Sequence, residues 1–70
     1  MDDRCTYHVE VQGQIDENDV NATSPLRMTV DRIDEAATLF TTYADQSALI
    51  GLMRYLHGRG FVLLSVYRER

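Results

Sequence analysis

The sequence predicts an α+β domain of order β-β-β-α-β, with one amphipathic helix packed on a small, mostly antiparallel sheet. Three observations predict it. Residues 6–15 alternate apolar Tyr7, Val9, Val11 and Ile15 with polar His8, Glu10, Gln12 and Gln14, the period-two pattern of a half-wet strand. Leu49, Leu52, Met53 and Leu56 recur at the i, i+3, i+4, i+7 spacing of one helix stripe. Residues 61–67 are apolar at both parities, as in a strand covered on both faces.

The first strand reads from Thr6 to Ile15, with Gly13 marking a bulge or a bend. Residues 16–25 hold one large apolar side chain, Val20, among Asp, Asn and Ser, and read as a mobile loop. A second strand is expected from Leu26 to Val30 and a third from Ala37 to Thr42, joined as a hairpin across the polar turn 31–35. Asp45 is a good N-cap for the helix that follows. Gly58 and Gly60 supply a left-handed stop after Leu56. His57 falls in the last turn, where the helix dipole favours a cation.

The last strand, Phe61 to Tyr67, poses a packing problem. One helix covers only one sheet face. If Val62, Leu64 and Val66 turn to the helix with Tyr7, Val9 and Val11, then Phe61, Leu63 and Tyr67 are left on the far face; with the faces inverted, Leu64 replaces Leu63 as the critical contact. An exposed apolar patch with a polar rim marks a contact surface.

Chain length sharpens the problem. Seventy residues make one domain, 1–70, with 1–5 as an N-terminal tail. A chain of this size buries only about 60% of its unfolded surface, and its core rarely supplies more than ~3–5 kcal/mol. A disulfide cannot help, because Cys5 is the only cysteine. Cys5, His8 and His57 lack the recurring spacing of a closed zinc site, so no metal and no cofactor is expected. Oligomerisation is the staple that is left, and a homodimer built around Phe61, Leu63 and Tyr67 is the expectation, by sheet face or by sheet edge.

Charge narrows the partners. The net charge is −4, which argues against non-specific nucleic-acid binding. Residues 1–35 hold nine acids and three arginines, a balance of −6, and residues 36–70 hold two acids and four arginines, a balance of +2. There is no lysine; Arg54, Arg59, Arg68 and Arg70 are the basic side chains of the second half, and guanidinium groups fork onto carboxylate or phosphate. No apolar run is long enough for a bilayer. The start Met1-Asp2-Asp3-Arg4 does not read as a signal peptide, so a cytoplasmic protein is expected.

Catalytic patterns are weak. His8 and Glu10 share a strand face, which permits proton transfer, yet a wet face explains both residues. There is no P-loop, dinucleotide fingerprint or nucleophile elbow, and no catalytic residue is assigned. The acidic run Asp16-Glu17-Asn18-Asp19 lacks the glycine and terminal glutamate of an EF-hand loop.

The stretches Ala44-Asp45-Gln46-Ser47-Ala48-Leu49 with Gly51-Leu52-Met53, and Gly60-Phe61-Val62-Leu63-Leu64-Ser65-Val66, resemble a family of short uncharacterised bacterial proteins. That family's signature is an Asp-Gln-Ala-Ala-Leu helix start closing on Gly-Leu-x-Leu-Leu-Ser-Val. The opening strand Tyr7-His8-Val9-Glu10-Val11-Gln12-Gly13 is similar too. The middle departs, since the family carries Trp and Phe after the first strand where this chain has Glu17 to Ser24. The resemblance implies a β-β-β-α-β domain and no activity.

Two functional expectations follow, from different classes. One is a non-enzymatic interaction or regulatory module acting as a homodimer, open also to a protein partner. The other is a binding protein or enzyme for a small anionic ligand, held in an intersubunit pocket by Arg54, His57 and Arg59.

Overall fold

The computed structural model describes residues 4–69. Its elements are β1 (Cys5–Gln12), α1 (Glu17–Thr23), β2 (Met28–Ile33), β3 (Ala37–Ala44), α2 (Gln46–Gly58) and β4 (Leu63–Arg68). The four strands form one sheet in the order β2-β3-β1-β4, with every neighbouring pair antiparallel. β1 and β2 therefore run parallel with β3 between them, and β3 and β4 run parallel with β1 between them. Each parallel pair is joined through a helix. Two interleaved split β-α-β units of this kind are the ferredoxin-like arrangement.

The α+β class stands, and the order β-β-β-α-β is corrected to β-α-β-β-α-β. Residues 16–25 are not a loop, because residues 17–23 are helical. Asp16 is the N-cap and its Oδ1 accepts from the Asp19 N–H at 3.0 Å. Ile15 before the cap and Val20 four residues beyond it are both buried in the core, the placement of a hydrophobic staple. The Asp- and Asn-rich composition thus caps and decorates a helix that needs one apolar anchor.

Both helices share one core on one face of the sheet. Val9 and Val11 of β1, Met28 of β2 and Phe40 of β3 meet Val20 of α1 and Leu49, Leu52 and Leu56 of α2. The stripe expected for α2 is buried except for Met53, which is half-buried at its margin. Asp45 caps α2 by accepting from the Ala48 N–H at 2.7 Å. Thr38 is fully buried and satisfied, accepting from the Ile15 N–H at 3.0 Å and donating to the Gly13 carbonyl at 2.7 Å. That pairing fixes the path out of β1, where Gly13 takes φ +91° at a cost only glycine escapes.

β4 does not keep a simple two-face alternation. Its register against β1 runs Val9↔Val66, Glu10↔Ser65 and then Val11↔Leu63, so Leu64 is the extra residue of a bulge. Leu63 consequently lies on the helix side, opposite buried Val11. Tyr67 lies opposite His8 on the far face. The grouping of Phe61, Leu63 and Tyr67 on one far face is corrected: one inserted residue switches Leu63 to the other side. Cys5 begins β1, so the expected tail 1–5 ends one residue early, and residues 1–3 of it lie outside the described residues.

Candidate functional site

Helix α2 carries a second stripe beside the buried one. Ile50, Met53, Arg54 and His57 repeat the i, i+3, i+4, i+7 spacing and form one wall of an open groove of about 650 Å³. Phe61, Val62 and Leu63 form the other wall, with Leu56 between the walls. The turn from α2 into β4 builds this geometry. The Phe61 N–H donates to the Leu56 carbonyl at 3.0 Å and the Gly60 N–H to the His57 carbonyl at 3.0 Å, with Gly60 at φ +85°. These are the two bonds of a Schellman motif, which brings the residue after the glycine back onto the last helical turn. Phe61 thereby meets Leu56 at the groove.

Of the three residues expected to bind an anion, the structure brings two together. Arg54 and His57 line the groove, and among the described residues the Arg54 side chain has no hydrogen bond or ion pair. Arg59 points elsewhere. Its Nη1 donates to Tyr55 Oη at 2.9 Å and to Thr23 Oγ1 at 3.0 Å, its Nη2 lies 4.0 Å from Asp19 Oδ2, and its guanidinium lies over the Tyr55 and Phe61 rings. Tyr55 Oη also pairs with Thr23 Oγ1 and donates to the Val20 carbonyl. Arg59 is a clasp between α1 and the end of α2. Arg68 lies five residues along β4 from Leu63, and Arg70 lies outside the described residues.

The residues expected at an interface divide by position. Phe61 is half-buried against the core. Leu63 and Tyr67 are exposed on opposite faces of β4, at 40% and 53%, and Val62 and Leu64 are exposed beside them at 52% and 50%. β4 is an edge strand. The opposite edge, β2, is treated differently. Asn21 of α1 accepts from the Met28 N–H at 2.8 Å and donates to the Met28 carbonyl at 2.7 Å, and Glu17 accepts from the Val30 N–H at 2.8 Å. Asp31 and Arg32 then follow at a bulge. Side chains and charges thus close one edge, whereas residues 61–67 at the other carry no charge.

On the far face lies a constellation that the sequence pattern did not show. His8 Nε2 is 3.2 Å from Glu69 Oε1, and His8 Nδ1 is 3.3 Å from Thr41 Oγ1 and 3.8 Å from Asp31 Oδ2. Thr41 also donates to Asp31. The imidazole stacks on Tyr67, with ring centroids 4.8 Å apart. Glu10, the expected partner of His8, instead receives a long hydrogen bond from Ser65 at 3.5 Å. Asp31, Thr41 and Glu69 come from three other segments, so only strand order brings them to His8. The cluster links all four strands. Among the described residues, no group of three or more His, Cys, Asp and Glu side chains is placed to hold a metal ion. No helix among them is long and apolar enough to cross a membrane.

A family model described as a domain of unknown function, DUF8691, matches residues 6–67, from the start of β1 almost to the end of β4. The chain belongs to that family. No curated protein and no solved structure matches the chain. The matched span of the DUF8691 domain contains both walls of the groove and the whole run of exposed apolar residues on β4. Glu69 of the far-face cluster lies beyond it.

Proposed function

We propose that this domain is a non-enzymatic interaction module that pairs with a second copy of itself along the outer edge of β4. The observation that supports this reading is the asymmetry of the two sheet edges. α1 takes up the N–H and carbonyl of Met28 and the N–H of Val30 on β2, while β4 is uncharged from Leu63 to Tyr67 and exposes apolar side chains on both faces. An unshielded apolar edge is a template for another strand. Antiparallel pairing of β4 with its own copy makes a closed two-fold assembly in which each edge covers the other. Edge pairing also suits the division of Leu63 and Tyr67 between the two faces, which face-to-face packing would not. A single cysteine suits a reducing compartment, and with the likeness of the C-terminal half to short bacterial proteins it supports a bacterial cytoplasm as the setting.

Sedimentation equilibrium at micromolar concentration tests the proposal. The expected species is twice the 8.0 kDa chain mass. Leu64→Lys places a charge at the bulge of the edge and should give a folded monomer by circular dichroism. A wild-type chain that sediments as a folded 8.0 kDa monomer overturns the reading.

A further inference from the structure

We infer that the groove between α2 and β4 binds an amphipathic carboxylate, a molecule with an aliphatic or aromatic body and one anionic end. Its volume, about 650 Å³, lies within the ~300–1,000 Å³ range of small-molecule sites. Its lining has the composition such sites use, an apolar bed with a few convergent polar groups. Ile50, Met53, Leu56, Phe61, Val62 and Leu63 make the bed; Arg54 and His57 are the polar groups.

Charge selects the class of ligand. The chain carries a net −4, yet residues 46–68 contain no Asp or Glu and three arginines. Of these, Arg59 is engaged by Thr23, Tyr55 and Asp19. Arg54 stands on the groove wall with no side-chain partner among the described residues. A guanidinium in that state offers a forked donor pair that matches a carboxylate in charge and in shape. One such group beside a long apolar bed fits a monoanion with a hydrocarbon body. A compact polyanion would leave the bed wet and would need more donors.

The groove stands independently of edge pairing, which would only enclose it further. A partner strand along β4 would add a third wall and turn an open groove into an intersubunit pocket. The ligand contacts named here are nonetheless all within one chain.

Decanoate and decyltrimethylammonium below their micelle concentrations, and decanol below its solubility limit, are the probes for calorimetric titration and for ¹H–¹⁵N chemical-shift mapping on the full chain. Decanoate should bind with shifts centred on Ile50, Met53 and Leu63. Decanol should bind about tenfold more weakly, for loss of a charge-assisted hydrogen bond, and the ammonium should not bind there. Arg54→Gln should bring decanoate down to the affinity of decanol, with an unchanged circular dichroism spectrum. Equal binding of decanoate and decanol overturns the inference, as do full affinity in Arg54→Gln, shifts that map elsewhere, or no binding. Sedimentation of the same samples keeps the two proposals apart. A monomer that binds decanoate through Arg54 sinks only the dimer, and a dimer indifferent to decanoate sinks only the groove.

Discussion

Gly60 takes φ +85° in the turn that closes α2, and the space where its Cβ would stand is open. The cost of a side chain there is therefore conformational. Gly60→Ala should destabilise the fold by about 1–2 kcal/mol, read as a lower urea midpoint at unchanged m-value. Leu52 is fully buried under the sheet, and Leu52→Ala should cost ~2–5 kcal/mol, a large share of what a core this small supplies. A melting curve like that of wild type would mean that the helix face is misassigned. Asp34 controls the β2–β3 turn by different means. Its Oδ1 accepts from the Ala36 and Ala37 N–H groups, each at 2.8 Å. Those two bonds, Ala36 first, hold its carboxyl below the ordinary aspartate range, against some opposition from desolvation and with the smallest contribution from Arg32. A depressed folded pKa means that the carboxylate stabilises the fold above its unfolded value, about 3.9. That contribution disappears as pH falls through the lower folded value. Titration of the Asp34 carboxyl by NMR should show a midpoint below that of an unstructured peptide; a midpoint at or above it would remove the turn from the acid-sensitive part of the fold.

At the scale of elements, α1 does two jobs with few residues. Val20 anchors it in the core, while Glu17 and Asn21 satisfy the outward groups of β2. The double variant Glu17→Ala/Asn21→Ala should leave Val20 buried and speed amide exchange at Met28 and Val30, with no change at the β1–β3 pairing. Unaltered exchange at both amides would show that α1 does not guard the edge. The His8 cluster plays a comparable part at the other end of the sheet. Glu69 is tied to β1 through its own N–H, which donates to the Thr6 carbonyl at 2.8 Å, and through its contact with His8. His8→Ala removes both that contact and the stack on Tyr67. It should loosen the last residues of β4, seen as faster exchange of the Glu69 amide while the α2 amides hold.

For the molecule as a whole, the proposed pairing along β4 would make self-association and stability one equilibrium. If the folded chain pairs and the unfolded chain does not, the thermal midpoint must rise with protein concentration. We expect that rise for wild type and its absence for Leu64→Lys; a midpoint independent of concentration in both would leave β4 as an ordinary exposed edge. The ferredoxin-like order makes the economy of this arrangement plain. Each β-α-β unit leaves a gap that the other fills, so β1 and β3 are covered by neighbours and only β2 and β4 are edges. One of the two received a helix whose polar side chains cap it. The other received an apolar strand.

Several features were legible in the residues alone. Period-two alternation in 6–12 and the stripe at Leu49, Leu52 and Leu56 report local geometry, because strand and helix repeats act over a few residues. The cap at Asp45 and the stop at Gly60 were readable for the same reason. The second stripe at Ile50, Met53, Arg54 and His57 was equally present in the sequence, but its meaning depends on where Phe61 to Leu63 return. α1 is not legible in the sequence because its one large apolar residue gives no periodicity; its signal is the Asp16 cap flanked by Ile15 and Val20. Tertiary structure alone decided the rest. The bulge at Leu64, which sends Leu63 and Tyr67 to opposite faces, is set by pairing with β1, a strand more than fifty residues earlier. Arg59 is engaged because α1 brings Asp19 and Thr23 to it, whereas Arg54 faces the groove instead, and His8 meets Asp31 and Glu69 because strand order juxtaposes residues that no local spacing connects.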